Sequence, residues 1–367
     1  MSPTQAPAPP RPTASGRRPA RGRVALLALG GACLVAGLDA ALLAVGVWAP
    51  VDAAHLPGVH GMVMVLGFMG TVIALERAQA LRQPWAHLAP GVLGAGGITL
   101  AAGQHALGQL LLVQGCILLL AVHLALWRRA PVPLVAVQVL SVVLAGAAAA
   151  LWIVVDLAAL ICLLAGFLVL TIAAERAEMA QLTMGRRAVP TLVALGSWVA
   201  LAAASTLVWP DAGARAFGLG VLVVATWLLR DDVPRRMIRT VGLRRYNGTA
   251  LLGGYIWLAV AGLTWLVGGM PSDDATYDLV IHTTFLGFGV SMIMAHAPII
   301  FPTVIARPLP YRGVLWLPLV VLNASLLARV LGDLTGRGPL WTAGSVGTVI
   351  ALVLFAVTAV GVVVRGE

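Results

Sequence analysis

Apolar runs of the length that crosses a bilayer, roughly 20 residues each, recur twelve times along the chain, separated by glycine, proline and charged clusters. The breaks predict spans at 24–47, 60–80, 88–103, 110–127, 132–152, 157–174, 189–208, 216–229, 250–267, 279–300, 314–331 and 341–364. An all-α, polytopic membrane protein with 12 transmembrane helices is therefore expected. Residues 1–23 are rich in Pro, Ala and Arg, lack hydrophobic periodicity and read as a disordered cytoplasmic tail. No small-residue cleavage signal follows the tail, so the first span is expected to be retained and 24–365 to form a single membrane domain.

Within this pattern one spacing returns. Gly67-Phe68 is followed nine positions after the glycine by Glu76-Arg77-Ala78, and Gly166-Phe167 at the same distance by Glu175-Arg176-Ala177. Gly287-Phe288 leads, again nine positions on, to His296-Ala297. The three copies fall on spans two, six and ten, each four spans after the last. That interval predicts three pseudo-symmetric four-helix repeats, with the marked helices all running in one direction.

Composition narrows the class further. The chain is 60% hydrophobic and 10% charged, with a mean hydropathy of +0.96, which excludes a soluble domain of 367 residues. Its net charge of +10 comes from 24 basic residues, all arginine, and would suggest nucleic acid if they formed one soluble patch. They sit instead in short loops, so no nucleic-acid partner is expected. With both termini inside, 21 of the 24 lie on the cytoplasmic face, while Asp52, Asp156, Asp211, Asp273, Asp274 and Asp333 lie on the other. This bias predicts a multi-pass protein of the cell (inner) membrane with both ends cytoplasmic. Cys33, Cys116 and Cys162 stand inside apolar runs at no metal-ligand spacing, and imply neither disulfides nor zinc.

Ionisable residues inside a span are costly and are the first candidates for chemistry. His60 and His282 open spans two and ten, and each has a glycine seven positions on, Gly67 and Gly289. On a regular α-helix that is about two turns, so each glycine would lie under its histidine and leave room for a flat, bulky group. Haem b is the cofactor this suggests, with His60 and His282 as its metal ligands. Taken singly, each histidine is as well explained by hydrogen bonding at the membrane interface, and each glycine by helix packing. His296 lies fourteen residues, about 21 Å, deeper than His282, where it is a second ligand, a proton-handling group with His123, or an interfacial cap. Glu76 and Glu175 hold the equivalent positions in the other copies, each beside an arginine with which a simple ion pair is the alternative. Asp39 stands inside span one without a basic partner on its own helix. Arg329, near the outer end of span eleven, is suited to an anion, or else snorkels to headgroups.

Twelve spans with both ends inside and a threefold repeat of four-helix blocks resemble subunit I of the haem-copper oxidase superfamily. HTTFLGFGVSMIMAH and LNASLLARVLGDL are in turn similar to the NnrS family of membrane haem-copper proteins linked to nitric oxide stress. The resemblance implies a low-spin haem held by histidines of the second and tenth helices, with its propionates on arginines beyond the eleventh. His60, His282 and Arg329 fall at matching places. The family's oxygen-reducing centre also needs histidines on the sixth and seventh helices and a second one on the tenth. Spans six and seven have none, and Val280 and Thr284 flank His282 two positions away. A b-type haem protein serving electron transfer, haem or gas sensing, or nitric oxide tolerance is thus expected, with the lipid bilayer and a redox partner or quinol as its partners, and no oxygen reduction of its own. A membrane transporter with internal repeats and a haem-free structural or assembly factor are the rival expectations.

Overall fold

The structure, a computed structural model, describes residues 21–305 and 309–365; the tail expected over 1–23 lies outside the described residues up to residue 20. Arg21 to Arg23 are not part of that tail, since they form the first turn of α1 (Arg21–Val45). Every regular element among the described residues is helical. In order they are α2 (Leu56–Leu81), α3 (Leu88–Ala101), α4 (His105–Arg129), α5 (Pro133–Leu151), α6 (Leu157–Met179), α7 (Ala188–Ser205), α8 (Pro210–Asp231) and α9 (Gly242–Gly268). Then α10 runs from Asp274–His282 through Thr283–Val290 into Ser291–Ile305, followed by α11 (Trp316–Leu334) and α12 (Pro339–Arg365).

Eleven of these helices are long and apolar enough to cross a membrane. The twelfth, α3, falls within two residues of the expected span of 88–103 and is shorter than the rest: it is 14 residues long, about 21 Å at 1.5 Å per residue. A 3₁₀ turn at Pro84–His87 precedes it, where proline withholds a backbone donor. Close packing compensates for its length. A Cβ on Gly96 would come 2.9 Å from Leu112 Cδ2, and one on Gly97 2.8 Å from Gly67 Cα, so α3 touches α4 and α2 almost backbone to backbone.

The neighbour relations repeat three times. In each block the first helix packs on the second and third, the second on the third, and the third on the fourth; α4 then meets α5, α8 meets α9, and α12 returns to α1. The repeated glycine occupies the same niche in every copy, against the first and third helices of its own block. Gly67 faces Cys33 and Gly97, Gly166 faces Leu144 and Ala203, and Gly287 faces Trp257 and Leu326. Helices α2, α6 and α10 are the most buried of the bundle and form its axis, where they bury their apolar faces on one another.

Two of these axial helices are not α-helical throughout. Val63–Gly70 of α2 and Thr283–Val290 of α10 are π-helical, with the repeated glycine as fifth residue of each segment, while α6 is α-helical from end to end. Helix α10 is capped at its start by Asp273, whose side chain accepts from the Ala275 and Thr276 amides at 3.0 and 2.9 Å. Those bonds, led by the Thr276 amide, hold the Asp273 carboxyl below the usual carboxylate range.

Candidate functional site

Two cavities lie along the axis. The first lies at the end that carries His60 and His282. Its wall is mostly apolar, with Met64, Met69, Leu164, Phe285 and Leu352 among its residues, and both histidines, Arg329, Tyr277 and Thr348 are its polar residues. The structure therefore brings together three side chains that are far apart in sequence: His60, His282 and Arg329.

Both rings are held through the same nitrogen. His60 Nδ1 lies 2.9 Å from the Gly37 carbonyl oxygen. His282 Nδ1 lies 2.9 Å from the Asp278 carbonyl oxygen and 3.1 Å from Asp278 Oδ1. These partners are acceptors, so Nδ1 carries the proton in each neutral ring and Nε2 keeps its lone pair. Among the described residues Nε2 of neither ring has a hydrogen-bond partner.

Asp278 is the residue that sequence reasoning missed. The expected span ten began at Leu279, whereas α10 begins at Asp274 and carries Asp278 into the bundle. There Arg329 donates to it twice, Nε to Oδ2 at 2.7 Å and Nη2 to Oδ1 at 2.6 Å, and Trp341 Nε1 donates to Oδ2 at 3.2 Å. The Trp341 ring also faces two guanidiniums, with Arg329 5.6 Å and Arg337 5.0 Å from its centroid. Arg337 goes on to Asp333 at 3.0 Å. Arg329 is buried and spends two donor nitrogens on an internal carboxylate, so its charge is compensated by the chain itself. The signal that could have found Asp278 is an aspartate four positions before a histidine, on one helical face.

The glycines need a correction. Neither Gly67 nor Gly289 lines the histidine cavity. Gly67 faces α1 and α3, and a Cβ on Gly289 would meet Leu168 Cδ2 at 2.8 Å beside the second cavity. The cause is the π-helical segment between each histidine and its glycine. Its i→i+5 turns hold more residues than α turns, so a seven-residue step does not return to the starting face. The small residue that does line the histidine cavity is Gly61, beside His60.

The second cavity lies toward the other end of the axis and shares Met69 with the first. Glu76, Glu175 and His296, the equivalent residues of the three repeat copies, all line it. Arg77 joins the two glutamates, its Nη2 standing 2.8 Å from Glu76 and 2.9 Å from Glu175. Arg176 pairs with buried Asp232 through Nε and Nη2 at 2.9 Å each, and Tyr255 donates to the same carboxylate at 2.5 Å. Its Nη1 stands 3.3 Å from His296 Nε2. Since a guanidinium only donates, His296 accepts there, and its Nδ1–H goes to the Met292 carbonyl at 2.9 Å.

Two candidates stand apart from both cavities. His123 hydrogen-bonds the Leu119 carbonyl at 3.0 Å, its Nε2 is buried without a partner, and it does not meet His296. Asp39 accepts from the Val51 amide at 3.1 Å and so ties down the loop between α1 and α2 rather than pairing with a cation.

Fold and composition together define a polytopic, all-α protein of a lipid bilayer with two cavities between its axial helices. The chain belongs to the family described as Domain of unknown function (DUF8744), whose model matches residues 23–364. No curated protein and no solved structure matches it.

Proposed function

We propose that this is a b-type haem protein of the membrane, of the haem-copper oxidase and NnrS kind, with His60 and His282 as the two axial ligands in the first cavity. The observation that carries this is the pairing of two imidazoles on one cavity, each anchored through Nδ1 and each with Nε2 free of hydrogen bonds. Ligating histidines characteristically donate their other ring N–H to a carbonyl or carboxylate, as both of these do. The donor set also suits a macrocycle better than a bare ion. A bare metal ion needs about four ligands, and no group of three or more His, Cys, Asp or Glu is arranged to hold one among the described residues. Two rings suffice where a porphyrin supplies the remaining ligands. Arg329 keeps Nη1 for a propionate after pairing with Asp278.

When bound, haem iron supplies one-electron chemistry. A haem held by both His60 and His282 would leave no open coordination position, so electron transfer is the role favoured over gas sensing or nitric oxide tolerance, either of which would need one ring to leave. A redox partner or quinol would supply and take up the electron. The arginine-rich end is assigned to the cytoplasm by the positive-inside rule.

A transporter reading is favoured by one observation, the second cavity lined by Glu76, Glu175 and His296. The absorption spectrum of the detergent-purified chain separates the two. A haem spectrum lost in both His60→Ala and His282→Ala supports ligation, and a spectrum unchanged in both overturns it.

A further inference from the structure

The first cavity treats its two histidines differently. His60 rests against a neutral main-chain carbonyl, that of Gly37 at 2.9 Å. His282 has the Asp278 carboxylate oxygen at 3.1 Å in addition to a carbonyl at 2.9 Å. That carboxylate is buried, and Arg329 and Trp341 clamp it from the other side at 2.6 to 3.2 Å. An aspartate held by a bidentate guanidinium and an indole N–H cannot swing away from the ring it faces, because each alternative rotamer breaks two charge-assisted bonds.

We infer that Asp278 is the positioning residue of this site: it orients His282 with Nε2 toward the cavity and places a negative charge behind that ring alone. This rests on the assignment of the two imidazoles as axial ligands. A carboxylate behind a ligating imidazole makes the ring more basic and favours the metal's higher charge state. Arg329, 6 % exposed and bound to the same carboxylate, opposes that field. Asp278 and Arg329 therefore pull the ferric-to-ferrous balance in opposite directions, and the chain sets it through the pair.

The test is an equilibrium redox titration of the haem-loaded full chain, with Asp278→Asn, Arg329→Gln and the double variant. Asp278→Asn is expected to keep its haem and to raise the ratio of reduced to oxidised protein at a fixed potential at least tenfold, about 59 mV for one electron. Arg329→Gln shifts the balance the other way, and the double variant falls between. The double variant leaves no unpaired buried charge, so it reports even if a single variant fails to fold. Asp278→Asn with the wild-type midpoint, or a shift of the same sign in Arg329→Gln, overturns the inference. A haem-free arm uses ¹⁵N-histidine NMR of the unloaded chain: the His282 Nδ1–H resonance is expected to move in Asp278→Asn, and an unmoved resonance overturns the contact itself. Failure of the haem assignment looks different, since His60→Ala and His282→Ala would then leave haem content unaltered while the NMR arm still decides the role of Asp278.

Discussion

Replacing Arg176 by methionine is expected to be among the most damaging single changes in the bundle. Arg176 is 4 % exposed and its partner Asp232 is equally sequestered, with a side chain at 0%. Two bonds of 2.9 Å join them, and Tyr255 adds a third contact to the carboxylate. Removing the guanidinium strands the Asp232 charge in a low-dielectric interior, where breaking a buried pair costs about 3–5 kcal/mol. The Tyr255 hydroxyl and the Val233 amide, 2.8 Å from Asp232 Oδ1, remain and recover part of that. Arg176→Met combined with Asp232→Leu removes both charges and should cost less than Arg176→Met alone. The exposed pair Arg215–Asp211 is the control, with side chains 44% and 65% accessible, and a pair of that kind contributes about 0–1 kcal/mol. Denaturant titration in mixed micelles, followed by tryptophan fluorescence, ranks the variants. If Arg176→Met is no worse than Arg215→Ala, or if the double variant is as costly as two independent lesions, buried charge is not what makes this site costly to break.

Gly344→Ala is expected to force α11 and α12 apart, because its Cβ would come 2.7 Å from Arg329 Cα; overpacking of this kind costs about 1–3 kcal/mol, and a melting temperature equal to that of Gly361→Ala, where the added methyl meets nothing within 4 Å, would contradict it. Because the wider turns of Val63–Gly70 absorb extra residues, deleting Met64 should let α2 continue as regular α-helix with His60 kept near its present face; haem content measured on membrane-inserted protein is expected to stay above that of His60→Ala, and content as low as that variant's would show that the segment does not absorb the residue. Since Cys33, Cys116 and Cys162 are buried, a membrane-impermeant maleimide should label Asp52→Cys in intact cells and Arg186→Cys only after permeabilisation; the opposite pattern would invert the topology.

What the sequence disclosed follows from which interactions are local. Apolar runs and loop arginines reveal spans because the bilayer reads composition directly, and the Gly-Phe spacing revealed the repeat because each copy uses its glycine for the same close approach. Asp278 was not legible because charged residues end a hydropathy window, whereas here the charge is carried inside by a guanidinium on another helix. The side-chain partners of Glu175 and Arg176 were hidden for a related reason. Each sits beside an ion of opposite sign in sequence, yet Glu175 pairs with Arg77 of α2 and Arg176 with Asp232 after α8. Neighbours in a helix point about 100° apart, so adjacency misled for Glu175 and Arg176, although Glu76 does pair with its neighbour Arg77. The end of α3 was overrun by two residues because Ala102 and Gly103 prolong the apolar run, while Gly103, at φ +81°, lies past the end of the helix.

The same geometry explains why the threefold pattern is broken where it is. Copies one and three carry the histidines and contain the π-helical segments, while copy two has neither and its axial helix is regular. A π-helical segment forgoes the better hydrogen bonding of the α-helix, so its persistence in two of three equivalent helices calls for a local cause. One is visible in the cavity walls: Met64, Val65 and Met69 come from the first segment, and Phe285 and Leu286 from the second, so the wall between the histidines and the lower cavity is built largely from these turns. Below them the register recovers, and Glu76, Glu175 and His296 converge on one cavity as three equivalent positions should. The wider turns thus uncouple the two ends of each axial helix. They let the histidine end be shaped for two unlike rings while the arginine-rich end keeps its threefold packing.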